Sequence, residues 1–240
     1  MLIKIKNLIL LYSISFSYTG YSSYFSYSSY LKVNKKCEKA GLFALTFDDG
    51  VTKNYDTILD ILSKEKIKAT FFVVGETLSN KDNASRLKKT YEQGHQVANH
   101  SWSHPRFLKL SFSQIENEII DTQNALNKII PIPFFAVYKK YIRTPYGEIN
   151  QKVGGKLKDL NYSIVFWNID PKDWNRKHLK EYIWMSYQTQ MNNADPRKDS
   201  FIAVHHDKNI ETVKILPELL HYVKAKGFRF VTISECLKKI

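Results

Sequence analysis

Short apolar runs rich in β-branched residues recur along the chain, and each ends in polar or glycine-containing residues. Runs of this length and composition are typical of buried strands. The runs span residues 42–47, 69–74, 96–98, 134–142, 163–169, 201–205 and 228–233. The pattern therefore predicts about seven buried strands.

Helix-like segments lie between these runs. They span residues 54–64, 84–93, 113–129, 152–160, 180–187 and 211–224. Ser113 and Glu116 predict a capping box, and Gly94 and Gly227 stand where helices are expected to stop. The regular alternation predicts an α/β fold with a parallel sheet, which we expect to form a distorted, incomplete (β/α) barrel. In such a fold the functional residues lie at the carboxyl ends of the strands.

The first 39 residues differ in composition from the rest of the chain. Residues 1–20 contain two early lysines, a short apolar stretch and then small or polar residues, which is the layout of a signal peptide. Because serines interrupt the apolar stretch, a leader without targeting value is the alternative. The stretch is too short to span a bilayer, so we expect no stable membrane anchor. Residues 21–39 form a Ser/Tyr-rich leader, and a single folded domain is expected in residues 40–240.

The chain is basic, with 36 Lys and Arg against 23 Asp and Glu and a formal net charge of +13. The lysines are scattered rather than clustered, and no nucleic-acid motif accompanies them, so we expect no nucleic-acid partner. The two cysteines, Cys37 and Cys236, bracket the expected domain. In a secreted protein they would form a disulfide, whereas two buried thiols are the alternative in the cytosol.

Two adjacent carboxylates, Asp48 and Asp49, follow the first predicted strand directly. Neighbouring like charges suppress each other's ionisation, so this pair is costly unless a cation is bound. One carboxylate can bind a metal ion while the other accepts a proton, and Gly50 allows the backbone to turn sharply beside them. A solvated turn is the alternative, because Asp-Asp-Gly is common in loops.

Two histidines, His100 and His104, follow the third predicted strand. A spacing of four residues places both imidazoles on the same side of a helical turn, where they can reach one metal ion. Together with Asp49 they supply two nitrogens and one carboxylate, the ligand set of a catalytic zinc-type site. Asp48 is then the expected general base.

With three further motifs, the chain resembles the polysaccharide deacetylases of carbohydrate esterase family 4, which share the NodB homology domain with fungal chitin deacetylases. The resemblance covers about residues 40–236, and its motifs lie at residues 46–50, 100–104, 143–147, 170–174 and 204–206. It implies that Asp48 is the base and that Asp49, His100 and His104 hold one divalent metal ion. Zinc is the expected metal, with cobalt and nickel as alternatives.

The third and fourth motifs supply supporting residues by the same resemblance. Arg143 would hold and polarise the base, and the backbone N–H of Tyr146 would stabilise the oxyanion. Thr144 stands where the family more often has proline. Asp170 is expected to pair with the supporting arginine or histidine.

The remaining motif residues would contact the substrate or the leaving group. Trp174 is expected to form a wall of the sugar-binding groove, and Val204 to line the pocket for the acetate methyl group. Of the adjacent His205 and His206, the family register selects His206 as the general acid. Alternation along the strand allows only one of the two to face the site.

The resemblance implies metal-dependent hydrolysis of N-acetyl groups on a chitin-like N-acetylglucosamine polymer. We expect a monomer that is secreted or held in the cell wall. Two alternatives stay open: a catalytically silent relative that binds cell-wall glycan, and a deacetylase of a different glycan such as peptidoglycan.

Overall fold

The computed structural model describes residues 31–130, 140–175, 177 and 179–239. The predicted signal peptide, the first part of the leader and most of the strand predicted at 134–142 lie outside the described residues. One compact unit begins at Leu31. Residues 31–39, the last part of the predicted leader, lie in this unit.

Strands and helices alternate through the described residues. The strands are β1 (Val33–Asn34), β2 (Leu42–Asp49), β3 (Thr70–Val73), β4 (Gln96–Asn99), β5 (Lys140–Ile142), β6 (Tyr162–Val165), β7 (Phe201–His206) and β8 (Arg229–Val231). The helices are α1 (Asn54–Lys64), α2 (Lys81–Glu92), α3 (Phe112–Ile129), α4 (Gln151–Asp159), α5 (Lys180–Gln190), α6 (Ile210–Ala225) and α7 (Ile233–Cys236). None of these helices has the length and apolar composition needed to cross a membrane.

All strand pairs in the sheet are parallel, and the strand order is β1-β6-β5-β4-β3-β2-β7, with β8 paired to the start of β2. No ladder joins β1 to β7, and a single bridge between Ile169 and Ala203 connects the segment after β6 to β7. The sheet is thus a distorted, incomplete barrel, as predicted. β1 was not predicted, because its two residues are too few to form an apolar run.

Strand β2 organises the core, because it pairs with β3, β7 and β8. Phe43, Leu45 and Phe47 pack in the cluster that includes buried residues of α1 and α6, whereas Leu42 and Ala44 belong to a second cluster built mainly from other strands. A strand buried on both faces explains the uninterrupted apolar run in the sequence.

Helix ends follow local sequence signals, with one shift from the prediction. The capping box of α3 uses Ser111 and Gln114 rather than Ser113 and Glu116. Ser111 has the extended backbone that an N-cap requires, whereas Ser113 already lies inside the helix. Gly94 follows α2 with φ 80°, as the predicted helix stop requires.

A disulfide joins Cys37, after β1, to Cys236, at the end of α7. The bond links positions 199 residues apart and ties the two ends of the described domain together. A backbone hydrogen bond from Glu38 N–H to Cys236 O, 2.9 Å long, supports the same junction. The predicted pairing of the cysteines is confirmed.

His95, directly before β4, makes the domain sensitive to acid. Its side chain is buried, and its Nδ1 accepts a hydrogen bond from Ala69 N–H at 3.1 Å. Burial, with a smaller effect of the Lys68 charge, lowers the pKa of His95 from 6.5 to about 4. Between these pH values the unfolded chain binds a proton that the folded protein does not. The free energy of unfolding should therefore fall by up to about 3 kcal/mol as the pH drops through this range.

We expect His95→Asn to remove most of this loss, because the asparagine side chain does not bind a proton in this pH range. The Asn Oδ1 can still accept the Ala69 hydrogen bond, which should keep the variant folded. Urea unfolding at pH 7 and pH 4.5 measures the effect in the wild type and the variant. His221→Asn, at an exposed histidine on α6, is the control and should leave the difference between the two pH values unchanged. Equal acid sensitivity of His95→Asn and the wild type would contradict the assignment.

Candidate active site

Four strand ends meet at one edge of the sheet and bring the predicted site residues together. Asp48 and His206 are register partners in the β2–β7 ladder, so their side chains point to the same face. β4 and β5 pair at their last residues, which brings the residues that follow, His100 and Arg143, side by side. This edge carries the carboxyl ends of the strands, where the alternating pattern predicted the site.

A cavity of about 550 Å³ opens at this edge. Every predicted active-site residue except Arg143 lines it: Asp48, Asp49, His100, His104, Tyr146, Asp170, Trp174, Val204 and His206. Arg143 is fully buried and contacts the cavity residues from behind. The predicted residues are therefore brought into one site.

The side chains of Asp49, His100 and His104 converge. Asp49 Oδ1 lies 3.4 Å from His104 Nε2 and 3.6 Å from His100 Nε2, and one ligand atom from each residue falls within 4.8 Å of the others. His100 Nδ1 lies 2.7 Å from the carbonyl oxygen of Arg143. A carbonyl only accepts, so this nitrogen donates, which leaves the Nε2 lone pair free for a metal ion.

The charges of these side chains also suit a cation. Burial raises the pKa of Asp49, but its interactions with His100, His206 and Lys208 outweigh this effect and keep that pKa well below its usual range. Burial, reinforced by His100, lowers the pKa of His104 to about 4. An ionised carboxylate and a neutral imidazole are the forms that bind metal, so the donor set fits one divalent cation.

The two histidines meet through a loop rather than the helical turn that their spacing predicted. Ser101 and His104 have φ values of 69° and 57°, in the left-handed region, and a right-handed helix contains neither conformation. The two imidazole centroids are 4.9 Å apart. The prediction of convergence holds, and the predicted helical geometry is wrong.

The turn after β2 also differs from the prediction. Asp49 itself takes the left-handed conformation, with φ 76°. Gly50 is needed for space, since a Cβ there would lie 1.9 Å from Asp207 Oδ2. That carboxylate is buried and accepts a hydrogen bond from Thr52 N–H at 2.9 Å. Gly50 therefore allows the close approach of a buried side chain rather than a sharp turn.

Arg143 holds Asp48 in place. Its Nη1 donates to Asp48 Oδ1 at 2.6 Å and to Thr46 Oγ1 at 2.8 Å. Its Nε and Nη2 donate to the carbonyl oxygens of Val165 and Phe166 at 3.1 and 3.2 Å. With these bonds the buried guanidinium has one orientation, and it holds the Asp48 carboxylate in a charge-assisted hydrogen bond.

His206 is paired with Asp173, which corrects the expectation for Asp170. His206 Nδ1 lies 2.7 Å from Asp173 Oδ1, and Asp173 Oδ2 accepts from His206 N–H at 2.8 Å and from Thr212 Oγ1 at 2.6 Å. Burial lowers the pKa of His206, but the Asp173 hydrogen bond and charge, with Asp48 and Asp49, outweigh it and raise the pKa to about 9. His206 is therefore protonated at neutral pH.

Asp170 lines the cavity without making this contact. Its Oδ1 accepts a hydrogen bond from Lys172 N–H at 2.8 Å, in a turn where Lys172 has φ 53°. The backbone thus uses the Asp170 carboxylate locally. The same turn carries the chain on to Asp173, whose side chain reaches the end of β7.

His205 faces away from the cavity. Its Nε2 lies 3.0 Å from the Tyr187 hydroxyl, and its ring packs against those of Tyr187 and Phe47 in the core. Alternation along β7 consequently directs only His206 into the cavity.

Aromatic side chains form the rim of the cavity. Trp174 is 58% exposed and Tyr146 is 53% exposed, which leaves both rings accessible to a sugar. The Tyr146 ring lies 4.6 Å from the ring of His104, and the guanidinium of Arg106 lies 4.3 Å above it. Val204 is buried within the lining. The rim is thus aromatic and the base of the cavity is polar and charged.

The sequence profile described as polysaccharide deacetylase matches residues 35–165 of this chain. This chain belongs to the polysaccharide deacetylase family. A curated relative, the chitin deacetylase of Colletotrichum lindemuthianum, is 33% identical over 207 residues, which cover 84% of this chain and 82% of that protein. The solved structure of the chitin deacetylase from that fungus matches with a TM-score of 0.79 at 30% identity and covers 88% of this chain and 93% of its own.

A second member of the polysaccharide deacetylase family is a longer protein. The peptidoglycan-N-acetylglucosamine deacetylase PgdA of Listeria monocytogenes is 30% identical over 234 residues, or 97% of this chain. The match covers 45% of that relative, so this chain spans less than half of its length.

Several site residues of this polysaccharide deacetylase domain were not predicted. Asp173 lies in the fourth motif, but Asp170, three residues earlier, was expected in its place. Trp167 and Arg106 also line the cavity. Trp167 follows the end of β6, but the apolar run predicted at 163–169 placed it inside a strand. Arg106 carries no comparable signal, because it acts from a loop.

The departure at Thr144 preserves the backbone of the third motif. Its φ is −74°, within the range that proline would impose. Thr144 is fully buried, and its hydroxyl has no hydrogen-bond partner in the part of the chain that the structure describes. Thr144 therefore keeps the backbone geometry that proline would have at this position.

Proposed function

We propose that this protein hydrolyses N-acetyl groups of a chitin-like N-acetylglucosamine polymer and releases acetate, in a reaction that requires one divalent metal ion. The observation that carries the proposal is the convergence of three parts in one cavity. These are the Asp49–His100–His104 triad, the Asp48–Arg143 pair and the His206–Asp173 pair.

Asp49, His100 and His104 are the residues that would hold the metal. When bound, a divalent ion supplies a Lewis acid that polarises the acetyl carbonyl and lowers the pKa of water. Zinc suits a ligand set of two imidazoles and one carboxylate, and cobalt or nickel can replace it.

Asp48 acts as the general base of the proposed reaction. Arg143 orients its carboxylate, so that it can accept a proton from the attacking water. The negative charge that develops on the acetyl oxygen is stabilised in part by the backbone N–H of Tyr146. The left-handed backbone of Tyr146, with φ 60°, is consistent with a specialised role at this position.

His206 acts as the general acid. Its pKa of about 9 keeps it protonated at neutral pH, and it shares the cavity with Asp48. It donates its proton to the amide nitrogen, the carbon–nitrogen bond breaks, and acetate and a glucosamine amine are formed. Asp173 orients the imidazole and stabilises its charged form.

The substrate proposal rests on the rim of the cavity and on the relatives. Trp174 is an exposed ring on which a sugar can pack, Tyr146 exposes part of a second ring, and Val204 suits the acetyl methyl group. The chitin deacetylase of C. lindemuthianum matches along most of both chains, which favours a chitin-like polymer. The match to the longer PgdA favours peptidoglycan as the second candidate.

We propose that the protein acts outside the cytosol, as a monomer, and without a nucleic-acid partner. The disulfide between Cys37 and Cys236 supports an oxidising compartment. The scattered positive charge supports the absence of a nucleic-acid site.

Acetate release from chitin oligomers tests the proposal after metal has been stripped with a chelator and then added back as zinc or cobalt. We expect release to fall to background in the stripped protein and to return on addition of metal. His104→Ala, which removes a ligand, should show no recovery with the same metal concentration.

Peptidoglycan fragments are assayed in parallel. Metal-dependent release from these fragments alone would replace chitin with peptidoglycan as the substrate. Binding of zinc and glycan without acetate release from either polymer would reject the hydrolase and favour a silent glycan-binding protein.

A further inference from the structure

The loop Ser101–His104 carries a proposed metal ligand in an unfavourable backbone conformation. Its Ser101 and His104 both have positive φ. Two of its carbonyl groups are held by the turn that follows β3, because Gly75 N–H donates to Ser101 O at 2.9 Å and Glu76 N–H donates to Trp102 O at 3.0 Å. One side of the loop is therefore fixed by backbone contacts.

The other side is held by one carboxylate, Glu118 on α3. Its Oε2 accepts hydrogen bonds from Trp102 N–H and Ser103 N–H, both at 2.8 Å, and its Oε1 accepts the Ser103 hydroxyl at 2.8 Å. His104 N–H, the next amide, donates to Ser101 Oγ at 3.1 Å. Three consecutive amides are thus satisfied by side chains within or beside the loop.

We propose that Glu118 is a positioning residue for the metal site, which fixes the loop so that His104 Nε2 faces Asp49. Left-handed conformations of residues other than glycine persist only where the surroundings hold them. Hydrogen bonds to an ionised carboxylate are stronger than neutral ones, so Glu118 is suited to this task. The inference rests on the proposed function, because it concerns the same metal site.

The position of Glu118 separates this role from catalysis. Its described carboxylate hydrogen bonds all go to Trp102 and Ser103, and it does not line the cavity. His104 follows these residues directly, so relaxation of the loop moves a ligand without removing it. Loss of Glu118 should therefore weaken metal binding while leaving the polymer groove unchanged.

Zinc affinity, measured by competition with a chelating dye below the melting temperature of each variant, tests the inference. We expect Glu118→Ala to weaken zinc binding by about 10- to 100-fold, the range typical for residues that orient a ligand. The zinc affinity of Glu118→Gln should stay much closer to that of the wild type. Its amide oxygen can accept both backbone N–H groups, and its NH₂ group can donate to the Ser103 hydroxyl.

Glu116→Gln is the matched control on the same helix. The Glu116 carboxylate pairs with Lys156 at 2.6 Å, away from the loop. The zinc affinity of Glu116→Gln should therefore match that of the wild type within about twofold. The Glu118→Ala variant, by contrast, should reach most of the wild-type kcat once zinc is saturating. Its KM for chitin oligomers should equal that of the wild type.

A zinc affinity of Glu118→Ala within twofold of the wild type would overturn the inference, and a lowered melting temperature would then assign Glu118 a structural role alone. The proposed function fails differently. If no variant releases acetate but the zinc affinities differ as expected, the positioning role stands and the hydrolase is rejected.

Discussion

Asp48→Asn should abolish acetate release while leaving zinc binding intact. The amide keeps the shape of the side chain but cannot accept a proton from water, so kcat should fall by about 10²- to 10⁴-fold. The three expected ligands, Asp49, His100 and His104, are unchanged, so the zinc affinity should stay close to that of the wild type. Acetate release at saturating zinc, together with a zinc titration, measures both.

Asp48→Asn also leaves the fully buried guanidinium of Arg143 without its counter-charge. Removing one partner of a buried pair lowers stability by about 3 kcal/mol, so both assays must be run below the melting temperature. Asp49→Asn, one residue further along, is the matched control and should lose zinc as well as activity. Full activity in Asp48→Asn would show that Asp48 is not the base.

Much of this site is predictable because strand ends are easy to find in a parallel α/β sequence. Asp49 is the last residue of β2 and His100 follows β4 directly, and parallel strands bring their carboxyl ends to one edge. The side to which His206 points follows from the strand period of two residues, since Asp48 is its partner across β2 and β7. These inferences need only the strand boundaries and their order of pairing.

Loop geometry is not predictable in the same way. A four-residue spacing suits a helical turn, but His100 and His104 converge through left-handed residues that no periodicity indicates. Asp170 and Asp173 are similar in sequence terms, and only the fold brings Asp173 to Thr212 and His206. In both cases tertiary contacts select the conformation.

Supporting residues far apart in sequence are also hidden. Glu118 reaches the loop Ser101–His104 from the middle of helix α3, whose exposed face carries several other charged residues. The short strand β1 lies within the Ser/Tyr-rich leader predicted from the sequence, and it becomes part of the sheet by pairing with β6. Neither has a local signal, because each is defined by its partner.

Asp173→Asn should move the basic limb of the pH profile of kcat to lower pH. His206 is raised to a pKa of about 9 because the Asp173 hydrogen bond and charge outweigh burial. The protonated acid is therefore present below this pH and is lost as the pH rises through it. Without the Asp173 charge the pKa should fall by about 1–3 units. Wild-type activity should persist to about pH 9, whereas the variant should decline from near neutral pH.

Asp170→Asn is the control that separates the two aspartates of the fourth motif. Both variants remove one carboxylate from the same segment, but only Asp173 contacts His206. The Asp170→Asn profile should keep its basic limb near pH 9, and thermal unfolding should establish that both variants are folded. A shifted limb in Asp170→Asn with an unshifted limb in Asp173→Asn would restore Asp170 as the partner of the acid. Because the readout is a pH value rather than a loss of activity, a general weakening of the fold cannot imitate it.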